Sequence, residues 1–349
     1  MINGKRKYEL SGRRKATLLM LVVLIITVFL FILDIVLGSV SIKLKDIVDV
    51  LLNKSDSEIY SIIVKFRIPK AFTAFLAGIS LSVSGLQLQT IFRNPMAGPY
   101  VLGISAGASL GVAVLILGFS DYFTAKSLEL LGSWSIAAAA WMGAGIVIVI
   151  IMLISLKIKD ILAILILGIM LSGGISSVVS IMQYFSSETM LKSYVIWTMG
   201  SLGNLSSQQL QVMAVCVTAG LIISFFSLKM LNAMLIGEVY AGTLGVNIKR
   251  ARIIIFTSTS LLTGTVTAFC GPIGFIGVAV PHIARMFFKT SDHRVLLPSV
   301  VLIGGSVMLA SDIISQLPGS ERVLPVNAVT SLIGIPVVIW AILKTRKYA

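Results

Sequence analysis

The chain has 349 residues, of which 57% are hydrophobic and 12% charged, with a mean hydropathy of +1.01. No water-soluble globule with an ordinary polar surface has that balance, so lipid must be its main solvent. The formal charge of +14 does not signal a nucleic-acid partner, because Lys and Arg punctuate apolar runs and gather on no water-facing domain.

Six basic residues, Lys5, Arg6, Lys7, Arg13, Arg14 and Lys15, precede an uncharged run over 16–33. That run exceeds the roughly 7 to 15 residues of a signal-peptide core and has no A-x-A-like site after it, so it reads as a retained first span. A polar stretch with Lys43, Lys45, Lys54 and Lys65 follows, and its amphipathic part, 44–52, predicts a helix lying on the outer surface. Hydropathy predicts ten spans in all, near 16–38, 68–91, 99–118, 134–156, 161–183, 207–228, 252–270, 273–288, 295–317 and 323–343. The expectation is an all-α polytopic membrane protein forming one domain over 1–349, with a basic tail over 1–15. Ten crossings put both termini on one side. If that side is the cytoplasm, its segments hold 19 of the 28 Lys and Arg, so the positive-inside rule selects it. Cys216 and Cys270 lie inside apolar segments and read as small core residues, not as a disulfide or a metal site.

Two breaks echo one another. Gly98-Pro99 with Gly103 joins the second and third spans, and Gly271-Pro272 with Gly274 and Gly277 joins the seventh and eighth. The pairs are five spans apart, an odd number, so the units would run in opposite directions. Spans two to five and seven to ten are therefore expected to form an inverted repeat, a recurrent architecture of transporters.

The polar residues admit several readings. Residues 93–111 read RNPMAGPYVLGISAGASLG and contain Gly103-Ile-Ser105-Ala-Gly107, a G-x-S-x-G match, while His282 sits in another apolar segment. A hydrolase elbow needs a strand-to-helix turn, and no strand is predicted here, so the small residues read better as helix-packing positions. Gly168, Ser172, Ser176 and Ser180, with Gly173 and Ser177 beside them, make a stripe of small residues at four-residue spacing. It can serve tight packing, or wall a passage for a bulky solute, or both if two subunits meet there. Asp34 and Asp312 lie deepest among the acidic residues, with interfacial or structural roles favoured. They form no acid chain for a proton relay, which counts against an ion-coupled secondary transporter. No G-x-x-x-x-G-K-[ST] is present, so the chain is not itself an ATPase, and any pumping needs a partner that hydrolyses ATP. The segment 229–252, broken by Gly237, Gly242 and Gly245, carries apolar Leu231, Met234, Leu235, Tyr240 and Leu244. Two short helices presenting a knob to a partner groove and a plain interfacial loop both fit it.

In chain order the sequence carries Arg67-Ile-Pro-Lys70 with Gly78 and Gly85, then Arg93-Asn94-Pro95-Met-Ala with Gly103. Gly237-Glu238 with Ala241 and Leu244-Gly245 come next, followed by Gly271-Pro-Ile-Gly-Phe-Ile-Gly277 with Pro281-His282-Ile-Ala-Arg285. Asp292-His293-Arg294 and Leu324-Pro325 through Gly334-Ile-Pro336 complete the set. Together these resemble the permease subunits of binding-protein-dependent ABC importers for iron chelates, haem and cobalamin, the FecCD type. The resemblance implies ten helices per subunit, two permeases (here a homodimer) enclosing one pathway, two cytoplasmic ABC ATPases and one external substrate-binding protein. It implies that 229–251 is the coupling loop, with Gly237, Glu238, Ala241, Leu244 and Gly245 docking in the ATPase, and that Arg67 and Lys70 meet the binding protein. Lys70 stands where the family has Arg, which keeps the charge and loses the fork. Arg93, Asn94 and Pro95 would turn the chain at the cytoplasmic rim, with Gly103 packing span three. The implied cargo is a ferric siderophore or haem, with a corrinoid as the alternative, crossing the cytoplasmic (inner) membrane of a bacterium. With two histidines and no ligand cluster, the chain would carry a metal wrapped in its chelator, using no cofactor or bound metal of its own.

Overall fold

The computed structural model describes residues 2–38, 57–118, 125–158, 160–316 and 323–346. The surface helix expected over 44–52, with Lys43, Lys45 and Lys54, lies outside them.

Among the described residues the fold is all-α. Helix α1 (Ile2–Val36) is followed by α2 (Ser57–Ile62), a π-helical turn at Ile63–Arg67, and α3 (Ile68–Ile91), which has Pro69 in its first turn, where a missing N–H is tolerated. A 3₁₀ turn at Pro99–Leu102 leads into α4 (Ile104–Ile116). Helix α5 (Ala125–Lys157) is kinked at Gly132, and α6 (Ile161–Phe185) follows, capped by the Asp160 side chain. Then come α7 (Glu188–Thr198), α8 (Ser207–Phe226) behind a Ser206/Gln209 capping box, and the short helices α9 (Leu228–Met234) and α10 (Glu238–Thr243). Helices α11 (Ile248–Cys270), α12 (Ile276–Phe288), α13 (His293–Ser315) and α14 (Val326–Arg346) complete the chain.

Among the described residues, seven helical stretches are long and apolar enough to cross a membrane: Arg14–Val36, Ile59–Ile91, Gly132–Lys157, Ile161–Phe185, Ser207–Phe226, Ile248–Cys270 and His293–Ser315. Three shorter apolar helices, Ile104–Ile116, Ile276–Phe288 and Val326–Ala341, fall on the remaining predicted spans. This is a multi-pass membrane protein. Helices α4 and α12 are short because an irregular stretch leads into each. Buried Pro99, Val101 and Leu102 form the first, and the second runs through Gly271 to Phe275. Such backbone is tolerated at depth only where protein covers it.

Helix α3 is the centre post, buried on nearly all sides against α11, α12 and α13, whereas α1, α6 and α8 bury one side each. Lipid tails are as apolar as leucine, so close backbone contact and interhelical hydrogen bonds must hold the bundle. Both occur around α3. A Cβ on Gly85 would lie 1.7 Å from the Gly277 carbonyl oxygen, and one on Gly78 would lie 2.2 Å from that of Gly304. At mid-depth the Ser84 and Thr263 hydroxyls are 2.7 Å apart, and Ser258 and Thr259 both donate to Gln87 Oε1, at 3.3 and 3.2 Å.

Candidate coupling surface and transport path

One end of the bundle carries α9 and α10. Gly237 separates them with φ of +123°, a conformation that side chains with a Cβ rarely adopt, and Gly245 (φ +84°) turns the chain out of α10. Of the two readings of 229–252 the structure has the pair of short helices, and two of the five apolar teeth, Leu231 and Met234, point inward. Leu231, Met234 and Ala241 are buried among Phe92, Ala97 and Ala251. Val239, Tyr240 and Leu244 point out, at 82%, 64% and 67% exposure, so the outward face is apolar. Glu238 does not join that face. Its two oxygens accept from Arg252 Nε at 2.9 Å and Nη2 at 2.6 Å, while Arg252 Nη1 donates to the carbonyls of Ile158 at 2.9 Å and Ser155 at 3.3 Å. Arg252 thereby clamps α10 to the end of α5, and its planar fork is what the carboxylate requires.

The 93–98 turn lies beside this platform. Arg93 adopts a left-handed φ of +47°, and a Cβ on Gly237 would come 3.3 Å from its guanidinium. The Asn94 side chain accepts from Met96 N–H at 2.9 Å, an Asx turn that reverses the chain. Helix α12 holds the turn: His282 Nε2 donates to the Pro95 carbonyl at 2.9 Å, and Arg285 donates to Gln89 Oε1 at 2.6 Å. His282 therefore has a structural partner, and no bond joins it to Ser105. Nothing in the periodicity announced the neighbouring relay. Buried His293 lies 2.8 Å from the Thr90 hydroxyl through Nε2, and Asn232 Oδ1 lies 2.7 Å from its Nδ1, so α9 is tied through α13 to α3.

Gly103 takes φ of +73° at the start of α4. From there Gly107 and Gly111 face Gly143 and Ala139 of α5 so closely that a Cβ on Gly143 would lie 2.0 Å from the Gly107 carbonyl. The stripe on α6 divides. Gly168 is buried against the Val101 carbonyl and half-buried Ser172 lies beside Gly103, whereas Ser176 and Ser180 are exposed, as are Gly173 and Ser177. A four-residue step overshoots a 3.6-residue turn by about 40°, so the stripe winds from the interior to the outside. The hydroxyls of Ser172, Ser177 and Ser180 donate to carbonyls four residues back, at 2.8, 3.1 and 2.9 Å. Their hydroxyl hydrogens are thereby committed to the backbone of their own helix.

At the other end, Arg67 donates to the carbonyls of Ile35 and Val36 at 2.9 and 2.7 Å, closing the C-terminus of α1 with positive charge. Lys70 lies 3.1 Å from Asp312, and Gln316 donates to both Asp34 and Asp312 at 3.0 Å. Asp312 thus bonds to the side chains of Lys70 and Gln316, not to neighbouring backbone. A cleft of about 460 Å³ opens beside Arg67, Lys70, Asn204 and Gln316, and a second of about 420 Å³ lies beside Trp197, Gln209 and Phe269. Helix α7, which hydropathy did not indicate, leads into the loop over the Gly271 break, where Ser201 N–H donates to the Cys270 carbonyl at 2.9 Å. Cys270 is buried and Cys216 half-buried, both unpaired.

Comparison with known proteins matches residues 25–344 to the FecCD transport family. The chain is 32% identical over 340 residues to the hemin transport system permease protein HmuU of Yersinia pestis, covering 97% of this chain and 99% of that one. It is 33% identical over 284 residues to the vitamin B12 import system permease protein BtuC of Escherichia coli, covering 81% and 84%. A solved structure described as an inward-facing, metal-chelate type ABC transporter superposes with a TM-score of 0.81 at 27% identity, covering 93% of this chain and 99% of that chain. A bundle with two broken helices, a pair of short helices at one end and a family match spanning nearly its whole length leave one assignment: the chain belongs to the FecCD transport family.

Proposed function

We propose that this chain is the transmembrane subunit of an ABC importer that carries a metal chelate, a ferric siderophore or haem, across the cytoplasmic membrane. The observation that carries the proposal is the apolar face of Val239, Tyr240 and Leu244, set on helices that Arg252 clamps to the bundle. An exposed apolar patch on a rigid mount suits a partner groove, and a chain with no nucleotide-binding motif needs a partner that hydrolyses ATP. In this reading 229–251 is the coupling loop, gripped by an ABC ATPase on the cytoplasmic side, where the positive-inside count puts both termini. Gly237 and Gly245 shape the protrusion, Ala241 anchors it, Glu238 braces it and Leu244 makes contact. A corrinoid cargo stands as a second reading, favoured by the 33% identity to a vitamin B12 permease.

The inverted repeat draws support from the packing. Helix α4 packs on α5 and α6 as α12 packs on α13 and α14, and α3 packs on α13 as α11 packs on α5. Positive φ precedes both short helices, at Gly103 and at Gly271 and Phe275. A homodimer meeting across the exposed part of α6 would set Ser176 and Ser180 beside the shared pathway. An external binding protein would dock at the Arg67 and Lys70 end, beside the cleft there.

Co-purification with the candidate ATPase, followed by binding-protein-stimulated ATP hydrolysis in proteoliposomes, tests the proposal. Leu244→Asp should abolish both while leaving the thermal unfolding of the permease within about 0.5 kcal/mol, because the side chain is exposed. Uptake against a gradient with no ATPase present would overturn the reading.

A further inference from the structure

At the α9 end of the bundle a cleft of about 460 Å³ is lined by Phe225, Phe226, Leu228, Lys229 and Arg294. Phe225 and Phe226 are the last residues of α8 and stand 62% and 75% exposed, continuing the exposed Val215 and Ile222 up that helix. Lys229 and Arg294, both exposed, close the other side. Neither is in an ion pair; among the described residues the pairs within 4 Å are Lys70–Asp312 and Arg252–Glu238. The carboxylate nearest in sequence, Asp292, feels the Arg294 charge. Its Oδ1 already accepts from Asn232 Nδ2 at 2.7 Å and Arg294 N–H at 2.9 Å.

The depth of the cleft follows from α1 and α13, which run side by side in the same direction: Thr27 meets Ser306 at 2.7 Å, and Asp34 accepts from Gln316 at 3.0 Å. Arg294 lies twelve residues before Ser306, and Lys15 twelve before Thr27. At about 1.5 Å per residue, exposed Arg14 and Lys15 share the depth of Arg294. The cleft thus has an apolar aromatic wall facing the hydrocarbon and two unpaired cations at the level of a cationic belt, the pattern that suits an acyl chain with an anionic headgroup.

We propose that this cleft binds an anionic phospholipid, its phosphate between Lys229 and Arg294 and an acyl chain along Phe225 and Phe226. Each cation near an anionic surface is worth about 5-fold in affinity, so the pair should give roughly 25-fold. The test uses the full chain in detergent, titrated with phosphatidylglycerol and separately with phosphatidylcholine, with bound lipid counted by native mass spectrometry. Wild type should retain phosphatidylglycerol at least about 10-fold better. Lys229→Gln with Arg294→Gln should erase that preference, and Phe226→Ala should weaken both lipids. Because a neutralised variant can misfold, Lys229→Arg with Arg294→Lys serves as the second variant and should keep the preference. Equal retention of the two lipids by wild type, an undiminished preference in the folded neutralised variant, or cleft-dependent binding of inorganic phosphate that displaces the lipid would each overturn the proposal.

Discussion

Lys70 and Asp312 form an ion pair at the end of the bundle away from α9 and α10. The Asp312 side chain is wholly buried and Lys70 keeps 21% exposure, so the ammonium can reach the cleft beside Arg67 while neutralising a buried acid. Removing one partner of a buried pair leaves an uncompensated charge, which costs about 3–5 kcal/mol. Lys70→Met should therefore lower detergent-phase stability by an amount of that order, and Asp312→Asn in the same chain should restore part of it; a variant defective only in binding-protein affinity would mean that docking is the main task of Lys70. Arg252 presents the parallel case at the other end. Arg252→Ala removes the Glu238 fork and two carbonyl bonds, and since Glu238 is 20% exposed and can hydrate, the expected loss is about 2 kcal/mol, read by thermal unfolding. A double-mutant cycle with Glu238→Gln should show a coupling of about 1–2 kcal/mol.

Between helices, the α4–α5 contact is limited by backbone. Gly107, Gly111 and Gly143 leave no room for a Cβ, and the atoms in the way are carbonyls of the facing helix, which cannot rotate aside as a side-chain tip can. Gly143→Leu should force the pair apart and cost about 3 kcal/mol or more, with a matching loss of folded protein in the membrane fraction. Gly145, two residues along the same helix, has open space around it, and Gly145→Ala should be close to neutral by the same assay. The division of the α6 stripe belongs here too. Spacing in the sequence placed Gly168, Ser172, Ser176 and Ser180 together, and helical geometry separates the two that pack from the two that face outward.

Assembly rests on which surfaces the single chain leaves uncovered. Helix α6 exposes Ser176, Ser177 and Ser180 between Ile169, Met170, Val178 and Ile181, whereas α8 exposes Val215, Ile222 and Phe226 with Thr218 as the single small polar residue among them. The first suits a second copy and a hydrophilic passage; the second suits lipid. With Cys216 and Cys270 replaced by Ala, Ser180→Cys should give an oxidant-induced dimer in native membranes and Ile222→Cys should not; the reverse pattern would move the subunit contact to α8.

Hydropathy alone was enough to locate the seven long apolar helices and the three shorter ones, because a span needs only about 20 apolar residues and any crossing must satisfy its backbone internally, which leaves the helix as its form. The motifs from Arg67 to Pro336 identified the family for a similar reason: glycines that permit backbone contact, and prolines that break helices, must stay in place along the chain. Spacing could not say which side chains would find each other. Helix α7 is too short and too mixed to register as apolar, and Asp34, Lys70, Asp312 and Gln316 come from three distant segments. Glu238 and Val239 are adjacent in sequence, yet folding turns one into a brace against Arg252 and leaves the other exposed. Period and composition are local properties, whereas charge pairing and exposure depend on which helices pack together, and that is set only when the bundle closes around α3.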